Sequence, residues 1–179
     1  MLTGSTVLAP GNEKLDPRAV TAERLRERVQ TLKAALAHCR YADLPVIAIG
    51  HSIGGCAALC LAGAQPRDRD GRPVPVPVEE RVKRLVLLAP AVGWFQAPRA
   101  LSQVRVPASV FVGGEDVVTP PAGIEILRSA PGPVGVRLHE HAEHFDYMTE
   151  LPPGATPTPG LDRAAFLRGV ALGITAALR

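Results

Sequence analysis

The sequence predicts an α/β protein: a three-layer sandwich around a mostly parallel sheet of about five strands. Two observations carry this. Short apolar runs, such as Val46-Ile47-Ala48-Ile49 and Leu85-Val86-Leu87-Leu88-Ala89, alternate with segments whose apolar residues recur at helical spacing. Several of the runs also stop on glycine or proline, at Pro10-Gly11, Gly50 and Gly113-Gly114, as strands delivering the chain into turns do. With 179 residues, the chain is expected to form a single domain over 1–179, with no internal repeats.

In order, Thr6-Val7-Leu8-Ala9 reads as a first strand. Asp16-Pro17 then reads as a helix start, a capping side chain followed by proline at the first helical position. That helix carries Val20, Leu25, Val29, Leu32 and Leu36 on roughly one face. Val46–Ile49 is a buried strand, and Ile53, Cys56, Ala57, Cys60, Leu61 and Ala64 follow at helical spacing. The Pro-, Arg- and Asp-rich stretch from Gln65 to Glu80 is a surface loop, and Leu85–Ala89 the next strand. Ala91 to Val104 is irregular with one helical turn, and Ser109–Val112 is a strand. Pro121 to Ser129 is a helix, Val134 to Leu138 a last strand, and Asp162 to Leu178 a closing helix with Phe166, Val170, Ile174 and Leu178 four apart.

Composition narrows the function. Twenty basic and 17 acidic residues give a net charge of +3, with no long basic run, which argues against nucleic acid. Three cysteines, Cys39, Cys56 and Cys60, do not make a disulfide framework, and Cys56 and Cys60 read as reduced core residues. No apolar run reaches the roughly 18 residues a membrane helix needs, and Met1–Ser5 lacks the basic start of a signal peptide. A cytoplasmic protein is the expectation.

The chemistry is concentrated in Gly50-His51-Ser52-Ile53-Gly54-Gly55, a Gly-x-Ser-x-Gly motif between a strand and a helix. Such a turn holds its serine in a strained conformation above the sheet, at a helix N-terminus that favours negative charge. Gly50 and Gly54 are expected to remove side chains that would clash in the turn. Ser52 is the expected nucleophile and the Ile53 amide an oxyanion donor. A serine at its free pKa is a poor nucleophile and needs a base and an orienting acid, which this motif's context supplies in the order serine, acid, histidine. Asp116, just past the Ser109–Val112 strand, is the expected acid, with Glu115 as competitor. The base is one of His139, His141 and His144; His144 lies farthest into the loop, with Phe145 beside it to anchor it. The same histidines with Glu143 and Asp146 could be read as a metal site, but the triad already accounts for them, so neither metal nor cofactor is expected. His51, Trp94 and Phe95 are expected to border the substrate, although Trp94 and Phe95 could instead plug the core.

These residues resemble the α/β-hydrolase superfamily, and within it predicted dienelactone hydrolases related to platelet-activating-factor acetylhydrolase. The likeness rests on Gly50–Gly55, Ala62-Gly63-Ala64, Leu87–Ala91, Gly93-Trp94-Phe95, Asp116–Pro121 and Ala142–Asp146. It implies hydrolysis of a carboxylic ester or lactone through an acyl-serine, with Ser52, Asp116 and His144 as the triad. The dienelactone hydrolase after which the group is named uses cysteine as nucleophile, whereas this chain has Ser52. In that family several strands precede the one that Val7–Asn12 resembles. The His-Gly-rich loop giving a second oxyanion donor has no counterpart here. The resemblance therefore implies an N-terminally shortened α/β-hydrolase fold. Thr6–Ala9 is expected to move beside Val46–Ile49, or a second copy to cover the gap in a homo-oligomer. The alternative function is a weakly active or non-catalytic binding module.

Overall fold

The computed structural model describes residues 6–9, 20–41 and 43–178. Its centre is a four-stranded, wholly parallel sheet in the order β1-β2-β3-β4: β1 (Val46–His51), β2 (Val82–Leu88), β3 (Ala108–Gly113) and β4 (Val134–His139). Strand order follows chain order, so each crossover moves one step across the sheet.

Helices lie on both faces. On one face α1 (Ala22–His38) and α2 (Ile53–Leu61) pack with two 3-10 helices, Val92–Phe95 and Pro121–Ser129. Their shared core takes Leu25 and Val29 from α1, Cys56 to Leu61 from α2, and Leu85, Leu87, Val110 and Val112 from the sheet. On the other face α3 (Arg163–Ala177) lays Phe166, Val170 and Ile174 against Val86, Leu88 and Phe111. Sheet positions one residue apart thus face different layers, which is why the central strands read as unbroken apolar runs.

Each long helix begins where its sequence offers a cap. The Thr21 hydroxyl accepts from the Arg24 amide at 3.2 Å, and the Asp162 carboxylate from the Ala165 amide at 2.9 Å. Removing either cap costs about 1 kcal/mol. The α1 start at Thr21 replaces the one expected at Asp16-Pro17, which lies outside the described residues, as does Pro10-Gly11.

Two further expectations change. Thr6–Ala9 is exposed, irregular chain and pairs with no strand, so the described sheet has four strands and not about five. A strand run needs a neighbour to hydrogen-bond with, and four apolar residues alone do not supply one. Pro121–Ser129 is a 3-10 helix in place of an α-helix. Among the described residues β1 is therefore an edge strand. Its Ile47 and Ile49, 42% and 51% exposed, face the α3 side without being covered by α3.

Candidate active site

β1 runs into Ser52, whose backbone sits at φ 53°, ψ −120°, a conformation that L-residues adopt only under constraint. The constraint is local. The Ser52 amide donates to the Leu88 carbonyl at 2.9 Å, while the Ser52 carbonyl accepts from Gly55, Cys56 and Ala91. The turn is so tight that a Cβ on Gly50 would run into the Gly54 carbonyl group. Gly54 is different: a Cβ there meets nothing within 4 Å. Of these two, Gly50 alone must be glycine on steric grounds, which corrects the expectation for Gly54. Ser52 also caps α2 without a side-chain bond, so the first amides of that helix, Ile53 among them, have no intrahelical acceptor.

Asp116 and His144 arrive in the loops that follow β3 and β4. Gly113-Gly114 allows the two loops to touch: a Cβ on Gly113 would strike the Ala142 carbonyl, and one on Gly114 the Glu140 carbonyl. The Gly114 amide bonds to His139 O at 2.9 Å and the Glu115 amide to Ala142 O at 3.1 Å. Pressed together in this way, the loops bring Asp116 and His144, each 2% exposed, side by side beneath Ser52.

A hydrogen-bonded relay results. His144 Nδ1 donates to Asp116 Oδ2 at 2.8 Å, and Nε2 lies 2.9 Å from Ser52 Oγ. Because a carboxylate only accepts, the proton of neutral His144 belongs on Nδ1, leaving Nε2 free to accept from the serine hydroxyl. The other acceptor positions of Asp116 are also filled. The Val118 and Thr119 amides donate to Oδ1 at 2.8 and 2.7 Å, and the Thr119 hydroxyl to Oδ2 at 2.7 Å. Burial alone would raise the Asp116 pKa, but the bonds from His144 and Thr119 outweigh it and hold the carboxyl below its ordinary value.

The other candidates lie elsewhere. Glu115 and His141 are exposed and pair with each other at 3.3 Å. His139 bonds the Tyr147 hydroxyl at 2.9 Å and packs edge-on against Phe166 under α3. No metal-holding group of histidine, cysteine, aspartate or glutamate occurs among the described residues. Cys56 and Cys60 are free thiols buried in the core, and burial pushes the Cys56 thiol up.

Above Ser52 opens a cleft of about 410 Å³. Ser52 and Ile53 form its base, and Trp94, Val92, Val118 and Pro120 line one part of it. Phe95 does not line it. That ring is 1% exposed in the core, because a 3-10 turn points neighbouring side chains in divergent directions. His51 is not in the cleft either: it follows the strand alternation to the α3 side and lies behind His144.

Sequence reasoning missed two contributors. Thr119 completes the Asp116 cradle; its signal was the Asp-x-x-Thr spacing, which suits a side-chain turn. Arg67, Asp68 and Arg69 border the cleft, although their segment read as plain surface loop. That loop is tied across the site by the Arg67 amide, which donates to Trp94 O at 2.8 Å.

No protein-family model matches the chain, and no curated protein sequence does. Solved structures do match in fold. A predicted CIB-like hydrolase from Thermoplasma acidophilum superposes with a TM-score of 0.53 at 16% identity, over 88% of this chain and 60% of that one. An alpha-beta serine hydrolase homologue from Coxiella burnetii gives 0.51 at 16%, over 78% and 58%. Acyl-protein thioesterase 2 from Zea mays gives 0.51 at 17%, over 88% and 66%. The chain has the α/β-hydrolase fold, and it spans about three fifths of the length of the first two of these structures.

Proposed function

We propose that the chain is a serine hydrolase of carboxylic esters or lactones, with Ser52 as nucleophile, His144 as base and Asp116 as its orienting acid. The observation that carries this reading is the unbroken relay from Ser52 Oγ through His144 to Asp116, with neighbouring bonds of 2.9 and 2.8 Å, at the open N-terminus of α2. Ser52 Oγ attacks the ester carbonyl carbon as its proton passes to His144 Nε2. The carbonyl oxygen takes the negative charge and lies toward the Ile53 amide. Collapse of the adduct breaks the bond to the alcohol oxygen, which leaves with the proton from His144. Water then repeats the sequence on the acyl-serine and releases the acid. Trp94 and its apolar neighbours are suited to the acyl or alcohol chain. The narrower likeness to dienelactone hydrolases, carried by Gly93-Trp94-Phe95 and the two loops, belongs to this reading.

The test is covalent labelling of the 179-residue chain with a fluorophosphonate. Ser52 is the expected site, and Ser52→Ala should abolish labelling and ester turnover while leaving the circular dichroism unchanged. Labelling that persists in Ser52→Ala overturns the assignment.

A weakly active or non-catalytic binding module is the second reading. Acyl transfer ordinarily uses two oxyanion donors, and Ile53 is the one assigned here. Losing one donor costs about 100- to 1000-fold in turnover, so labelling without measurable turnover would favour this alternative. The uncovered Ile47 and Ile49 further suit association of copies through β1. Sedimentation at rising concentration tests that part, and a monomer throughout would overturn it.

A further inference from the structure

His51 precedes the nucleophile directly, yet its side chain leaves the cleft and turns to the α3 side of the sheet. There His51 Nε2 lies 2.9 Å from the backbone carbonyl oxygen of His144. A carbonyl can only accept, so this nitrogen carries hydrogen and donates. The two imidazole rings are 4.7 Å apart between centroids and tilted by 46°. On another side of the His144 ring, Phe145 presents itself edge-on at 5.1 Å.

We propose that His51 is a positioning residue, whose Nε2–H anchors the His144 backbone to the strand that carries Ser52. The inference rests on the reading of Ser52 and His144 as nucleophile and base. It gives that pair a second, independent tie. Asp116 orients the His144 ring from the β3 loop, whereas His51 fixes the backbone from which the ring projects. Both ties converge on the 2.9 Å gap between Nε2 and Ser52 Oγ. Without the His51 bond, the short 3-10 helix His144–Tyr147 would hold to β1 through packing alone, and its histidine would sample longer distances.

The electrostatics agree with this role. Burial, followed by the neighbouring His144, pushes the His51 pKa down to about 4, against its bond to the His144 carbonyl and the attraction of Asp116. The ring is neutral at pH 7, so it supports His144 without opposing the imidazolium that forms there during catalysis.

The test pairs two substitutions of equal length in the full chain. His51→Gln keeps an N–H at about the same reach, and His51→Met fills the space without a donor. His51→Phe is the control that keeps a ring and removes the donor. His51→Gln should retain kcat within about threefold. His51→Met and His51→Phe should lose about 10- to 100-fold in kcat, as a misplacement of about an ångström does, with KM within about twofold. The rate of fluorophosphonate labelling should fall in parallel. A direct readout is the low-field proton resonance of His144 Nδ1–H, expected in the wild type and His51→Gln and lost or broadened in His51→Met. Equal kcat in the Gln and Met variants, or an unchanged resonance in His51→Met, overturns the inference while leaving Ser52 as nucleophile intact. A wild type that neither labels nor turns over ester overturns the functional reading instead. The resonance then still decides whether His51 positions His144.

Discussion

The two halves of the site are built from different materials. The Ser52 half, β1 into α2, is held by backbone: Ser52 has φ 53°, its amide and carbonyl make four main-chain bonds, and no side chain caps the helix. The Asp116–His144 half relies on side chains as well: Asp116 accepts four hydrogen bonds, two of them from side chains, and His144 lies between Asp116 and Ser52. The Ser52 half is specified by where a Cβ cannot be; the other half shares that need at Gly113 and Gly114 and adds particular polar atoms. Substitutions should therefore fail differently on the two sides.

The largest expected effect is on the side-chain half. Asp116→Asn keeps the shape of Asp116 but puts an amide where an acceptor is needed, which favours the wrong His144 tautomer. Turnover of an activated ester should fall by about ten-thousand-fold, as in a serine protease with the same change. Melting should shift far less than that loss implies. A loss under about tenfold would show that Asp116 does not orient the base.

Neighbouring aromatics offer the next contrast. Phe95 is buried in the core and Trp94 lines the cleft. Phe95→Ala should cost about 3–5 kcal/mol of stability, read from denaturant unfolding. Trp94→Ala, which removes a ring that lines the cleft and packs partly on the core, should change ester chain-length preference and cost less stability than Phe95→Ala. Equal destabilisation by both would return Trp94 to the core.

On the backbone half, Gly50→Ala drives a methyl into the Gly54 carbonyl group. A destabilisation of about 1–3 kcal/mol or more is expected, together with loss of labelling at Ser52. Gly54→Ala should be tolerated, with a gain of up to about 1 kcal/mol from helix propensity. If both substitutions abolish labelling equally, the turn has a requirement beyond sterics.

The least direct effect on the site is on acid stability. Unfolded, His51 takes up a proton near pH 6.5, but folded only near pH 4. Between those values the unfolded chain binds more protons, so stability is whole above about pH 6.5 and falls as pH drops to about 4. The range amounts to about 3 kcal/mol. The titratable groups facing the ring are His144 and Tyr147 from the 3-10 helix and Asp116 from the β3 loop. His51→Gln should flatten the stability profile between pH 6.5 and 4, and an unchanged slope would assign that acid sensitivity to other groups.

Much of this was legible in the chain. Buried strands announced themselves as apolar runs because both sheet faces are covered at β2 and β3, and Asp162 marked its helix start because a capping oxygen is a local need. The short 3-10 helix at Pro121–Ser129 was not, since helical spacing does not separate one helix type from the other over so few residues. Thr6–Ala9 has the composition of a strand, but pairing depends on a partner elsewhere in the molecule.

Sequence by itself determined the order of the strands from Val46 onward, the Gly-x-Ser-x-Gly turn and the loops that carry Asp116 and His144, because periodicity, glycine and turn chemistry act within a few residues of one another. Tertiary structure decided which of three histidines meets Ser52, that Phe95 is buried in the core while Trp94 lines the cleft, and that His51 bonds the His144 carbonyl on the α3 side. The placements of the histidines depend on contacts between segments more than 90 residues apart, Ser52 and His51 with His144, and no local pattern encodes which side chain fills a space made by distant backbone.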